Sequence, residues 1–228
     1  MKFFRYALFS LSVLSVGFVQ AETEKSADTP TETAKTETAK TAVDPKFYTT
    51  VSGKRVSNDK KIEVVELFWY TCPHCDGFDP YIKKWKKTIA DDVAFYPMPA
   101  VFPNDRRLPL AKAFFVAQEL NILDKVHEPL FNAIHREHRN LSSALAIAEI
   151  FEKEAGINED DFMKRYNSFS VDSAVRKAAA LTKSYGVNSV PSLVVNAKYR
   201  MNGSQINGHK KMLALVNDLI EQERQANK

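Results

Sequence analysis

The chain has 228 residues and a formal net charge of +4, with its basic residues spread along the sequence. No dense basic stripe with interleaved aromatics is present, which argues against nucleic-acid binding, and Lys83-Lys84-Trp85-Lys86-Lys87 reads as the solvated face of a helix. Cysteine is used twice only, at Cys72 and Cys75.

Lys2 and Arg5 precede a run of small, hydroxyl and apolar residues over 7–19, and Val19-Gln20-Ala21 puts small residues where a signal peptidase reads. Residues 1–21 therefore read as a signal peptide cleaved after Ala21, and the mature chain as exported. A membrane anchor needs about 20 apolar residues, more than this run offers, and no later segment is long enough either. A lipoprotein would need a cysteine at the cleavage site, and none stands there. Residues 22–44 repeat Thr31-Glu32-Thr33-Ala34-Lys35 as Thr36-Glu37-Thr38-Ala39-Lys40, with Val43 the only large aliphatic. Such a stretch buries too little apolar surface to offset the entropy of ordering, so it reads as a flexible tether. Residues 45–228 remain, enough for one sizeable core or a core with a subdomain.

Residues 62–69 are β-branched and aromatic with apolar side chains on both faces, as in a central buried strand. A helix is expected from Pro73 to about Ile89, with Pro73 at its first position and Pro80 kinking it. Residues 93–96 give a second strand, which Pro97, Pro99 and Pro103 should break. From about 106 to 170 only helical patterns occur: 108–122, then 124–138, a helix capped by Ser142 or Ser143 and ending at Gly156, and one capped by Asn158. A longer helix over 171–185 stops at Gly186. Residues 192–196 and 199–201 form a hairpin connected through Ala197-Lys198, and a helix from His209 to about Gln222 closes the chain. The order β-α-β, helical insert, α-β-β-α predicts an α/β fold with a sheet covered on both faces.

Disulfides that act as staples gain with loop length, so a ring closed by two intervening residues adds little stability. Cysteines at this spacing are better suited to chemistry.

A strand feeding into Cys72-Pro73-His74-Cys75 at a helix start, with Val190-Pro191 before a later strand, resembles the thioredoxin superfamily. Within it the chain is similar to the DsbA family of bacterial periplasmic oxidases. The resemblance rests on Glu66-Leu67-Phe68 ahead of the cysteines, the helical insert, Asp124-Lys125-Val126 with Pro129-Leu130-Phe131, and Gly186-Val187-Asn188-Ser189-Val190-Pro191. It covers about 47–223. It implies a thioredoxin-like fold with an inserted all-helical subdomain and a low-pKa cysteine whose disulfide is a strong oxidant. It also implies a cis Val190–Pro191 bond, Val190 offering its backbone to an extended client, and Glu66 as a buried carboxylate able to accept or relay the Cys75 proton. The family commonly pairs that glutamate with a lysine on the next strand. Here Val93-Ala94-Phe95-Tyr96-Pro97 offers none.

Disulfide exchange needs a thiolate that attacks or leaves and a second thiol that resolves the mixed disulfide. Cys72, at the helix start, is assigned the first part, and Cys75, one turn inward, the second. The helix dipole contributes roughly 0.3–2 kcal/mol, which lowers the Cys72 pKa by at most about 1.5 units. His74 adds a nearby charge and Pro73 restricts the loop. Expected partners are folding exported proteins with cysteines and, by family resemblance, a DsbB-like quinone-linked membrane oxidase that restores the disulfide. No cofactor beyond the Cys72–Cys75 disulfide is expected, and the chain should act as a monomer. Rival readings are a metal site using the cysteines with His135 and His138, a non-catalytic chaperone module, and an isomerase, whose N-terminal dimerisation domain residues 22–61 cannot supply. His127, His135, His138 and His209 read as surface residues.

Overall fold

The computed structural model describes residues 43–203 and 206–226. The expected signal peptide, and the tether up to residue 42, lie outside the described residues. Val43, assigned to the tether, is instead buried against the core. Asp44 accepts the Lys46 N–H at 3.0 Å and caps a short 3-10 turn, Pro45–Phe47. Among the described residues, packing against the core thus starts ahead of the expected boundary, at the large aliphatic residue of that stretch.

Five strands, β1 (Thr49–Thr50), β2 (Ile62–Phe68), β3 (Val93–Pro99), β4 (Ser192–Val195) and β5 (Tyr199–Asn202), form one sheet in the order β1-β5-β4-β2-β3. Strands β2 and β3 are parallel and the other neighbours antiparallel. Every residue of β2 is buried, as a central strand requires. Side chains alternate across the sheet. Val64 joins Leu193 and Val195 under α1 (Pro73–Lys86) and α7 (His209–Ala226), through Phe78, Ile82, Met212 and Val216. Val65, Leu67 and Val194 face the opposite core, built on α2 (Leu108–Glu119), α3 (Leu123–His135), α4 (Ala144–Ala155), α5 (Glu159–Tyr166) and α6 (Phe169–Ser184). The fold is the expected α/β thioredoxin-like one, with α2 to α5 inserted between β3 and α6. Among the described residues no helix is long and apolar enough to cross a membrane.

Several boundaries differ from the sequence reading for local reasons. Strand β3 continues through Pro97 and Pro99, because it lies at the sheet edge and the residues alternating with them turn toward β2, as Ala100 N donating to Phe68 O shows. Both prolines then lack an N–H only on the unpaired side. Helix α1 ends at Lys86 rather than Ile89, with Pro80 in its interior. Helix α3 ends at His135, because the chain turns out of the helix through His138 at φ +54°. Helix α6 starts at Phe169, since Ser168 caps it by accepting from Val171 N. The hairpin turn is centred on Asn196-Ala197, both at positive φ, with Lys198 N donating to Val195 O. Helix α7 extends to Ala226, and its last turns bury Glu223, which Lys198 pairs at 2.7 Å. The two-residue β1 carries no periodic signal of its own and went unrecognised.

Candidate active site

Strand β2 ends at Phe68 and hands the chain through Trp69, Tyr70 and Thr71 to Cys72, the N-cap of α1. Cys72 has extended backbone geometry (φ −92°, ψ 116°), and Pro73 occupies the first helical position, where its missing N–H costs nothing. The Cys72 carbonyl accepts from Cys75 N at 3.1 Å and Asp76 N at 3.0 Å, while Cys72 N donates to Trp69 O at 3.1 Å. Cys72 is half-buried, His74 is exposed, and Cys75 is buried on the inward side. The two cysteines are unlinked, so this geometry is that of the dithiol form.

The two sulfurs are electrostatically unequal. The Cys72 pKa is lowered to about 6, first by the hydrogen bond from the Cys75 thiol, then by the backbone N–H groups of Cys75 and His74 and the His74 charge, against the penalty of partial burial. Sequence reasoning looked to the helix dipole and His74. The neighbouring thiol is the larger cause, visible only once both sulfurs have positions. Burial pushes Cys75 far above the ordinary thiol value, and the Cys72 sulfur and the Glu66 charge push the same way.

Val190 and Pro191 come from the turn before β4. Their peptide bond is cis, and Val190 O lies 3.7 Å from Cys72 Sγ. Pro191 is buried and Val190 half-buried. The resemblance to a known family had implied the cis bond. A groove of about 680 Å³ opens beside them, walled by His74 and Tyr81 of α1, by Val190 and Pro191, and by His209 and Met212 of α7.

Beneath the cysteines, Glu66 is buried at 5 % exposure and stands opposite Pro97 in β3 and Leu193 in β4. Burial, and then the Asp79 carboxylate, raise its pKa to about 8, while Lys86 of α1 opposes them. The charge that partly balances Glu66 therefore comes from the covering helix, since the strand opposite presents a proline.

Three of the four histidines expected at the surface, His127, His135 and His209, are half-buried. His127 and His135 lie two turns apart on α3, and both grip Tyr70. His127 Nδ1 is 2.8 Å from the Tyr70 hydroxyl, and His135 Nε2 is 2.7 Å from the Tyr70 carbonyl oxygen. His127 Nε2 also faces Asp79 at 3.5 Å, and Asp79 pairs with Lys83. Both histidines are half-buried and partnered and not free at the surface, because α3 packs against the strand end. His135 is engaged on Tyr70 while His138 is exposed past the helix end, so they do not act as a ligand pair. Among the described residues no three His, Cys, Asp or Glu side chains are grouped to hold a metal. His209 is partly buried, 5.1 Å from Phe78 and 5.0 Å from Tyr81 between ring centres. Only His138 is exposed as expected. Tyr70, Asp79, His127 and His135 were missed as site residues, since nothing in their spacing joins α3 to the strand end.

Comparison with known proteins gives the family and the fold. Residues 63–219 match the model of the DSBA-like thioredoxin domain. The chain is 39% identical over 173 residues to the thiol:disulfide interchange protein DsbA of Pseudomonas aeruginosa, covering 76% of this chain and 81% of that protein. It is 40% identical over 171 residues to the protein of that name from Azotobacter vinelandii, covering 75% and 79%. The crystal structure of Pseudomonas aeruginosa DsbA superposes with a TM-score of 0.75 at 37% identity, over 79% of this chain and 94% of that one. With its unequal cysteine pair set at a strand-to-helix junction, the chain belongs to the DsbA-like thioredoxin-domain family and is a thiol–disulfide oxidoreductase.

Proposed function

We propose that the protein works as a disulfide donor to folding exported proteins in the periplasm, after removal of residues 1–21. The observation that carries this reading is the inequality of the two sulfurs: a half-exposed Cys72 with a stabilised thiolate and a buried Cys75 that resists ionisation. Stabilising the Cys72 thiolate stabilises the reduced protein, which makes the disulfide form the stronger oxidant.

A client thiolate attacks Cys72 Sγ, the Cys72–Cys75 bond breaks, and the Cys75 sulfur leaves with the electron pair. Being buried, that sulfur takes up a proton, and Glu66, protonated at neutral pH by its raised pKa, is the group to supply it. A second client thiolate then attacks the client sulfur of the mixed disulfide, and Cys72 leaves as the thiolate. The client is oxidised by two electrons and the protein reduced by two. Pro73 and His74 shape and polarise the loop, and the Val190 backbone beside Pro191 pairs with the extended client as an added strand. The protein acts as a monomer, needs no cofactor beyond its own disulfide, and is reoxidised by a DsbB-like quinone-linked membrane oxidase.

Expression of the Cys75→Ala variant in the periplasm tests the reading. Without its resolving thiol, the Cys72 thiolate should attack client disulfides, expel one client thiolate and stay joined to the other client sulfur, so mixed disulfides with many clients accumulate and are released by reductant. Absence of trapped species, with the variant folded and exported, would overturn it.

A further inference from the structure

The groove beside the cysteines has an uneven charge. Its walls hold two imidazoles, His74 and His209, and no carboxylate among the described residues. His209 opens α7, and Lys210 and Lys211 follow it in a first turn without an acidic residue. That arrangement opposes the helix dipole, which favours negative charge at an N-terminus. Lys211 is turned away onto the Phe47 ring, 4.5 Å from its centroid, so the His209 imidazole is the basic group of this helix start that lines the groove. The His209 ring is held at the groove wall by Phe78 and Tyr81, and Gly77 faces it closely: a Cβ at Gly77 would lie 3.5 Å from its Cε1.

We propose that His209 is a specificity-determining residue, which makes the groove favour client segments carrying a carboxylate side chain near the reacting cysteine. The inference rests on the oxidoreductase reading of the same site. An extended client paired with Val190 passes along this groove, and its acidic side chain meets the imidazoles of His74 and of His209, the latter at the N-terminus of α7. The titratable groups facing His209 are His74 and Tyr81 from α1, while Lys211 of its own helix packs on Phe47 and Lys210 is exposed. The segments 189–191 and 206–208 contribute no titratable side chain. Burial, and then His74, hold the His209 imidazole below the ordinary histidine value of 6.5. Its charge therefore appears only below that value, so the preference for acidic clients strengthens as pH falls.

The test uses the oxidised full chain and pairs of single-cysteine peptides that differ by Glu against Gln at one to four positions from the cysteine. Each rate constant is divided by that of the same peptide with a small neutral disulfide, which removes differences in thiolate fraction. An exposed ion pair changes such a ratio by about two- to fivefold. At one or more positions the Glu peptide should react about threefold faster at pH 5.5, and the advantage should shrink at pH 8. His209→Phe, which keeps an aromatic ring on Phe78 and Tyr81, should lose at least half of the low-pH advantage. His209→Lys should keep the advantage at both pH values. Equal rates at every position, or a His209→Phe profile that matches the unsubstituted protein, would overturn the proposal. If neither peptide of any pair is oxidised, the oxidoreductase reading fails with it. Oxidation of both at equal rates removes the preference alone.

Discussion

His135 donates its Nε2–H to the carbonyl oxygen of Tyr70 at 2.7 Å, and so ties the helical insert to the last turn of chain before Cys72. Two turns earlier on the same helix, His127 holds the hydroxyl of that tyrosine. Beside them Arg136 pairs with Asp76, and Glu128 with Lys83. The insert thus braces the strand end and the first turns of α1, and the position of Cys72 depends on contacts made by residues far along the chain.

Tyr70→Phe tests that brace. It keeps the buried ring but leaves His127 Nδ1 without its partner in a half-buried setting. A loss of about 1–2 kcal/mol is expected in urea unfolding of the reduced protein. A stability equal to that of the unsubstituted protein would mean that water replaces the hydroxyl without cost.

The thiolate absorbance of the reduced protein should titrate with a midpoint near pH 6. Removing the donor in Cys75→Ala should move it up toward the free-cysteine value of about 8.5. The folded pKa is the depressed one, so the stabilisation is fully present above about pH 8.5 and is lost as pH falls through about 6. Allowing for solvent screening at a half-exposed sulfur, the effect is about 2 kcal/mol. Comparing reduced protein with Cys72→Ala across that range measures it.

Glu66 behaves in the opposite sense. Its folded pKa of about 8 lies above the unfolded value of about 4.3. Between those values the unfolded chain gives up a proton that the folded one keeps, so stability falls as pH rises through this window. Glu66→Gln should stabilise the protein at pH 8 by a few kcal/mol, with little gain at pH 4.5. On the proposed mechanism the same variant should also slow client oxidation, since it removes the group proposed to protonate the leaving Cys75 sulfur. A gain in stability independent of pH would argue against a buried neutral carboxyl.

Gly53 sits where any side chain collides. A Cβ there would fall 2.4 Å from Tyr185 Cδ1 and 3.1 Å from Ala197 O. Tyr185 is fully buried, with its hydroxyl donating to Lys54 O at 2.7 Å, so its ring has little room to yield. Gly53→Ala should cost about 1–3 kcal/mol, read from urea denaturation. Thiol reactivity should be unaffected.

Much of this molecule is written in local sequence. The all-apolar run of β2, the proline at the start of α1, the caps Ser143 and Asn158, and Gly156 at a left-handed helix end are short-range signals, and each gave its element near its true place. The cysteine pair was legible for the same reason, since two residues of spacing and a helix start define its chemistry. Elements whose cause is a neighbour in space were misread. The prolines of β3 are tolerated because it is an edge strand, and β1 exists only because β5 offers it a partner. The electrostatics of the site followed the same division. Sequence placed a thiol at a helix N-terminus, but the Cys75 thiol as chief cause of the low Cys72 pKa, Lys86 as the charge opposing Asp79 at Glu66, and two histidines of α3 on Tyr70 are tertiary facts. Charge and hydrogen bonding act through distance, and the distance between residues 70 and 135 is set by packing, not by their order in the chain.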